Sequence, residues 1–326
     1  MLSAFYHGFT AVASAAGRAR LYKMFIDFGP GVWYTCSVET EVIRMRWNKK
    51  WNKLALCALL VLLLPACGAP GAARDPEPAY SGPTVSVGGQ TVAVDESMEQ
   101  STFTEADFSL DETTGRVTCL SRQALTGIDV SSHQGEIDWA AVAGDGISFA
   151  ILRIGNRGYS EGVISADQRF EANLAGAQEN GLQVGCYFFS QAVSVEEAQE
   201  EADFVLAALN GREMDLPVVF DWEHIDNAEA RTDSVDTETV TACAQAFCER
   251  IQEAGYQTAV YCNGMLGYLH YDLSQLEQYD AWYAEYASWP SFAYAFDLWQ
   301  YTNTGTVAGI AGNVDLDLWF PPQTEG

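Results

Sequence analysis

Two carboxylates stand two residues apart in PVVFDWE (217–223), Asp221 and Glu223. Further acids sit in GIDVS (127–131) as Asp129, and in VDLD (314–317) as Asp315 and Asp317. Acids gathered in one place push their pKa values apart, so one keeps a proton at neutral pH while another stays ionised. Hydrolysis of a glycosidic bond needs that division: an acid for the leaving oxygen and an anion for the developing oxocarbenium ion. In an extended strand, residues i and i+2 share a face with Cα atoms roughly 6.6 Å apart, a spacing that alone decides neither retention nor inversion. No Cys or His spacing in the chain makes a zinc motif. His224, beside Glu223, reads as a surface or supporting side chain, and neither a cofactor nor a metal is expected.

Strands must position these acids. From Gly127 onward, apolar strand-like runs alternate with helical periodicity. The runs are GIDVS (127–131), SFAILRIG (148–155), QVGCYFFS (183–190), PVVFDWE (217–223), TAVYCN (258–263), AWYAEY (281–286), DLWQYT (297–302) and VDLDLWF (314–320). Helices are predicted at 166–180, 194–209 and 236–254, the second opening on a Ser194/Glu197 capping box and the third closed by Gly255. This alternation predicts an α/β fold, a parallel β/α barrel with active-site groups at the C-terminal strand ends. About 200 residues is short for eight full β/α units, so the last three strands are expected to have reduced crossovers. Strand alternation turns Asp221 and Glu223 toward the barrel axis and Val218, Phe220 and Trp222 toward the helices. Tyr187, Trp282, Tyr283, Tyr286, Trp299 and Tyr301 gather at the same strand ends, where aromatic faces suit sugar rings. Gln300 and Asn263 could read hydroxyls or acetamides. The acidic run Glu196, Glu197, Glu200, Glu201 and Asp203 reads as a solvated helix face.

The chain has 326 residues and a net charge of −27. Residues 1–66 hold eight basic and three acidic residues, whereas 67–326 hold nine basic and 41 acidic ones. A body so poor in cations excludes nucleic acid as a partner. Arg46, Lys49, Lys50 and Lys53 precede the apolar run LALCALLVLLL (54–64), giving a signal peptide over 45–66 that is too short to span a bilayer. LPAC (64–67) resembles a bacterial lipobox. Cys67 is therefore expected to carry a lipid that anchors an exported protein to the outer face of the bacterial membrane, with plain secretion as the alternative. Residues 1–44 read as an extension upstream of a true start at Met24 or Met45, and 67–83 as a flexible tether. Residues 84–122 read as a stalk or small appendage, with a hairpin at 84–94, a loop over 95–113 and a strand at 115–120. Residues 123–322 form the main domain. Cys119, Cys186, Cys243, Cys248 and Cys262 read as buried free thiols, and the protein as a monomer.

In order, GIDVSSHQGEIDW (127–139), GCYFFSQA (185–192), VVFDWE (218–223), AVYCN (259–263), WYAEY (282–286) and LWQYT (298–302), followed by GIAGNVDLD (309–317), resemble glycoside hydrolase family 25. These are lysozymes of the Chalaropsis and phage-endolysin type, and the resemblance covers about 125–320. It implies an irregular TIM-like barrel of five β/α units followed by three strands. It implies N-acetylmuramidase activity on the β-1,4 bond between N-acetylmuramic acid and N-acetylglucosamine, with peptidoglycan glycan strands as the partner. It implies Glu223 as general acid/base and Asp221 as nucleophile or as the carboxylate that orients the substrate's acetamide. Asp129 and Asp315 match the two further acids of the pocket. Asp317 stands where many relatives carry Asn, and Phe188 where many carry His. A non-catalytic glycan-binding module, or a glycosidase of other specificity such as a chitinase, are the alternatives.

Overall fold

The structure is a computed structural model that describes residues 82–322 other than 228, and the backbone of Tyr22–Asp27 and Trp33–Val38. Those two segments are strands paired antiparallel. The expected signal peptide, Cys67 and most of the tether lie outside the described residues.

Eight strands close into a barrel. They are β1 (Leu125–Val130), β2 (Phe149–Arg157), β3 (Gln183–Ser190), β4 (Val218–Trp222), β5 (Thr258–Asn263), β6 (Asp280–Ala284), β7 (Leu298–Gly305) and β8 (Val314–Trp319). Neighbours pair in chain order, and β8 pairs back onto β1 to close the ring. Strands β1 to β7 run parallel, whereas β8 is antiparallel to both neighbours. The expectation of a wholly parallel barrel therefore fails at β8. Eight residues (306–313) join β7 to β8, too few for the dozen or more that a parallel crossover takes.

Helices follow the first four strands: α1 (Trp139–Gly144), α2 (Phe170–Glu179), α3 (Val195–Leu209) and α4 (Thr237–Glu253). Helix α1 has six residues, too few to show a periodicity, and was not predicted. After β5 the crossover holds only a π-helical turn at Leu266–His270 and a 3-10 turn at Leu273–Gln275. Side-chain caps fix the starts of α1, α3 and α4. Asp138, Ser194 and Asp236 accept from the amides of Ala141, Glu197 and Thr239. The Glu197 carboxylate accepts from Val193 N, one residue before the position a capping box would use.

Strand alternation sorts the apolar residues into two layers. Val218, Phe220 and Trp222 join the outer layer under the helices, where Phe220 meets Phe247 of α4 at 5.2 Å. Phe149, Ile151, Val219, Ala259, Trp282 and Leu298 belong to a second cluster inside the barrel. Gly127 makes room for that interior. A Cβ there would lie 2.3 Å from the Phe149 ring. Gly127→Ala is expected to cost about 1–3 kcal/mol through overpacking, read as a lower Tm; an unchanged Tm would show that the ring has room to move.

Residues 84–122 pack along the barrel wall rather than standing off as a stalk. The predicted hairpin is present, Thr84–Val87 against Gln90–Ala93. Part of the expected loop over 95–113 is a second hairpin, Phe108–Asp111 against Arg116–Cys119. Backbone bonds tie Ser101 N to Ala293 O and Ala295 N to Glu99 O. Phe108 packs edge-on against Trp299 at 5.1 Å, and the Arg122 guanidinium lies between Phe103 and Phe320. This segment covers the outer face of β7, where the late crossovers carry no α-helix.

Candidate active site

A cavity of about 220 Å³ opens at the C-terminal ends of the strands. Asp129, Asp221, Glu223 and Asp315 all line it, with Arg153, Tyr187, Phe189, Tyr261, Trp282, Tyr286 and Gln300. The strands bring the acids together by register. Asp315 on β8 is directly opposite Asp129 on β1. Asp221 is the penultimate residue of β4, and Glu223, two residues later, reaches the same cavity. The Glu223 carbonyl accepts from Gln191 Nε2 at 2.6 Å, which fixes the chain just beyond β4.

Burial, then the nearby Asp315, pushes the Glu223 carboxyl up to about 7. Burial likewise raises Asp315 to about 6. Asp221 is raised well above its ordinary value by burial and by Glu223, against the pull of Arg153. Asp129 is raised by burial and by the charges of Asp315 and Asp317, while Gln300 Nε2 donates to its Oδ2 at 2.7 Å and favours the anion. So many carboxylates facing one cation cannot all ionise at neutral pH. The arrangement supplies an acid beside anions, which is the requirement for cleaving an acetal bond. Among the described residues, no group of three or more His, Cys, Asp or Glu is placed to hold a metal ion.

The family model for glycosyl hydrolases family 25 matches residues 128–310, more than half of the chain. The chain belongs to glycosyl hydrolases family 25. It is 29% identical to lysozyme M1 of Streptomyces globisporus over 201 residues, 59% of this chain and 66% of that one. It is 26% identical to the autolytic lysozyme of Clostridium acetobutylicum over 194 residues, 59% of this chain and 55% of that one. The chain thus spans just over half to about two thirds of the length of these relatives. The modular autolysin LytC from Streptococcus pneumoniae, solved with a synthetic peptidoglycan ligand, shares the fold at a TM-score of 0.55 and 22% identity. The match covers 73% of this chain and 52% of that one.

Within this family 25 barrel, most of the residues expected at the site reach the cavity, but several do not. Tyr187, Tyr286 and Gln300 line it, and Tyr286 Oη donates to Gln300 Oε1 at 3.2 Å. Trp299 does not. It is fully buried in the outer layer, with its Nε1 donating to Glu285 O, because on β7 the inward positions are Leu298 and Gln300. Tyr283 and Tyr301 lie in the same outer layer. Asn263 is spent on local structure. Its Oδ1 accepts from Leu266 N and holds the turn after β5. Phe188 also points outward, against Phe204 of α3, so its type does not alter the cavity.

The sequence reading missed Arg153, the only cation lining the cavity among the described residues. A lone Arg inside the apolar run of β2 gave no signal of its own. Its Nε donates to Asp167 Oδ2 at 2.8 Å and its Nη2 to Ser132 Oγ at 3.0 Å. Burial opposes it, but donors from Ser132 N, Arg169 N and Arg153 hold the Asp167 carboxyl below its ordinary value. The acidic run on α3 also departs from a solvated face. Glu201 is fully buried and accepts from Arg157 Nε and Ser190 Oγ, each at 2.6 Å.

Proposed function

We propose that this chain is a lysozyme, an N-acetylmuramidase that hydrolyses the β-1,4 bond between N-acetylmuramic acid and N-acetylglucosamine in peptidoglycan. The observation that carries the reading is Glu223. Its carboxyl, pushed up to about 7, is available as a proton donor near neutral pH while sharing a cavity with Asp221, Asp129 and Asp315. Glu223 protonates the glycosidic oxygen as the bond to the anomeric carbon breaks. Asp221, beside the Arg153 cation, meets the positive charge either as nucleophile or by orienting the substrate's acetamide. Glu223, now a base, takes a proton from the water that completes hydrolysis. Asp129 and Asp315 complete the charge balance, and the half-exposed ring of Tyr286 at the rim offers a sugar a face to stack on. That the relatives are lysozymes supports this reading.

The test is chemical. Purified peptidoglycan is digested, the products are reduced with borohydride, and the new ends are identified by mass spectrometry. Reduced muramic acid ends are expected. Reduced glucosamine ends would overturn the bond assignment, and cleavage of chitin oligomers in preference to peptidoglycan would make the protein a chitinase. No released fragments would favour a glycan-binding module.

We infer further that the protein is exported and held at the outer face of the cell membrane through a lipid on Cys67. The support is LPAC (64–67) directly after an eleven-residue apolar run and four cations. Cys67→Ser is expected to shift the protein from the membrane fraction to the medium; an unchanged distribution would remove the anchor.

A further inference from the structure

Arg153 lines a cavity of acids without pairing with any of them. It follows Phe149 and Ile151 at the next inward position of β2, at the height of Tyr187 on β3. Asp221 on β4 stands beside Phe189, one inward step higher on that same β3. The two side chains thus flank β3 and share the cavity. Yet among the described residues the one ion pair of Arg153 is with Asp167, at 2.8 Å. Asp167 follows the short strand Ile164–Ala166, and its side chain is fully shielded from solvent. Its carboxylate is held in turn by Ser132 N at 3.0 Å and Arg169 N at 2.8 Å. A guanidinium carries five N–H donors in a fixed fork. Nε and Nη2 are spent on Asp167 and on Ser132 Oγ. Nη1 has no acceptor among the described residues, and it is not sealed off, so its donors are open to the cavity. Asp221, 4% exposed, likewise receives no hydrogen bond from a described group.

We propose that Arg153 is a substrate-binding residue and Asp167 its positioning residue: the guanidinium, clamped from behind, offers Nη1 to a hydroxyl of the sugar ring in the cavity, and that hydroxyl donates to Asp221. The contact rests on the reading of the cavity as a glycan site. Arginine only donates and an ionised carboxylate only accepts, so the group between them must do both; a hydroxyl does so through one oxygen. An anionic substituent would meet Asp129, Glu223 and Asp315 as well as Asp221 and is disfavoured there. At about 220 Å³ the cavity is smaller than the roughly 300 Å³ at which pockets for drug-sized ligands begin, which suits one ring rather than a chain. A brace between β2 and the start of α2 would need no donors on the cavity side. With Asp167 as its counter-ion, Arg153 is held in place and still leaves Asp221 free for the ligand.

Binding is read apart from turnover on the Glu223→Gln background, by calorimetry with a soluble peptidoglycan tetrasaccharide. Arg153→Lys keeps a charge beside Asp167, but one ammonium lacks the fork that spans both the carboxylate and the sugar. It is expected to weaken binding about tenfold or more, and Arg153→Met at least as much. Asp167→Asn is expected to weaken binding by about threefold to tenfold, and to add nothing when combined with Arg153→Lys, since Asp167 acts through the guanidinium. A merely structural role for Asp167 would add its loss in both backgrounds. With Glu223 intact, Arg153→Lys is expected to raise KM for the tetrasaccharide and to leave kcat within about threefold. Wild-type affinity in Arg153→Lys would overturn the contact, and additive losses would overturn the positioning role of Asp167. If Arg153→Met does not fold, the lysine variant decides. Binding that depends on Arg153, with no cleavage by the wild type, would sink the muramidase reading and keep the contact. Cleavage by the wild type, with binding indifferent to Arg153, would sink the contact alone, and no binding at all would sink both.

Discussion

Glu223→Gln is expected to lower turnover on peptidoglycan by roughly 10²–10⁴-fold while leaving the unfolding transition in place. Gln matches Glu in shape, so the chain end held by Gln191 should not move. What is lost is the proton for the leaving oxygen and, later, the base for water. The pH profile carries the same assignment. Glu223 acts first as an acid, so activity is present below its raised pKa of about 7 and declines as pH rises through it. The acid limb reports protonation of the anions that share the cavity, among them Asp315, near 6. In Glu223→Gln the alkaline decline governed by Glu223 should vanish from whatever activity remains. A variant with near-parental turnover would remove Glu223 from its role, and an intact alkaline limb in the variant would assign that limb to another group.

Arg157→Met is expected to destabilise the fold by about 3–5 kcal/mol, because it strips the partner from a buried carboxylate. Arg157 is 4% exposed, and its guanidinium donates to Glu201, to Gly162 O, to Glu197 O and to Glu200. Glu201 in turn accepts from Ser190, whose Oγ also receives the amide of Ala192. Between them lies Gln191, which holds the Glu223 carbonyl. The ion pair therefore sits behind the peptide that sets the height of the acid. Chemical denaturation should show the loss, and the double variant Arg157→Met/Glu201→Leu should recover part of it, since removing both partners leaves no unpaired charge. A single variant as stable as the parent would mean that water reaches Glu201.

The strand ends were legible because a period of two leaves little choice. PVVFDWE can bury its apolar set under helices only by turning Asp221 and Glu223 to the axis, and they do turn there. The same period misled at LWQYT. Both of its faces are apolar or aromatic, and nothing local says that Trp299 and Tyr301 pack outward beneath a segment nearly 200 residues earlier. Asn263 was drawn to a turn amide, a local competitor that its type favours. Glu201 looked solvated because its neighbours on α3 are acidic; its partner, Arg157, lies 44 residues away on another element. Arg153 was hidden for the converse reason, one charge inside an otherwise apolar strand.

The cover over β7 has a consequence for where the folding unit ends. The family match runs from 128 to 310, yet the strand that closes the ring lies at 314–319, and the residues that shield Trp299 lie before 122. The matched stretch and the compact body are thus different lengths of chain. Trimming to 128–310 would leave an open sheet with two unpaired edges and a bare aromatic wall, both invitations to self-association. The strap therefore keeps that aromatic wall covered as well as shaping the barrel's side.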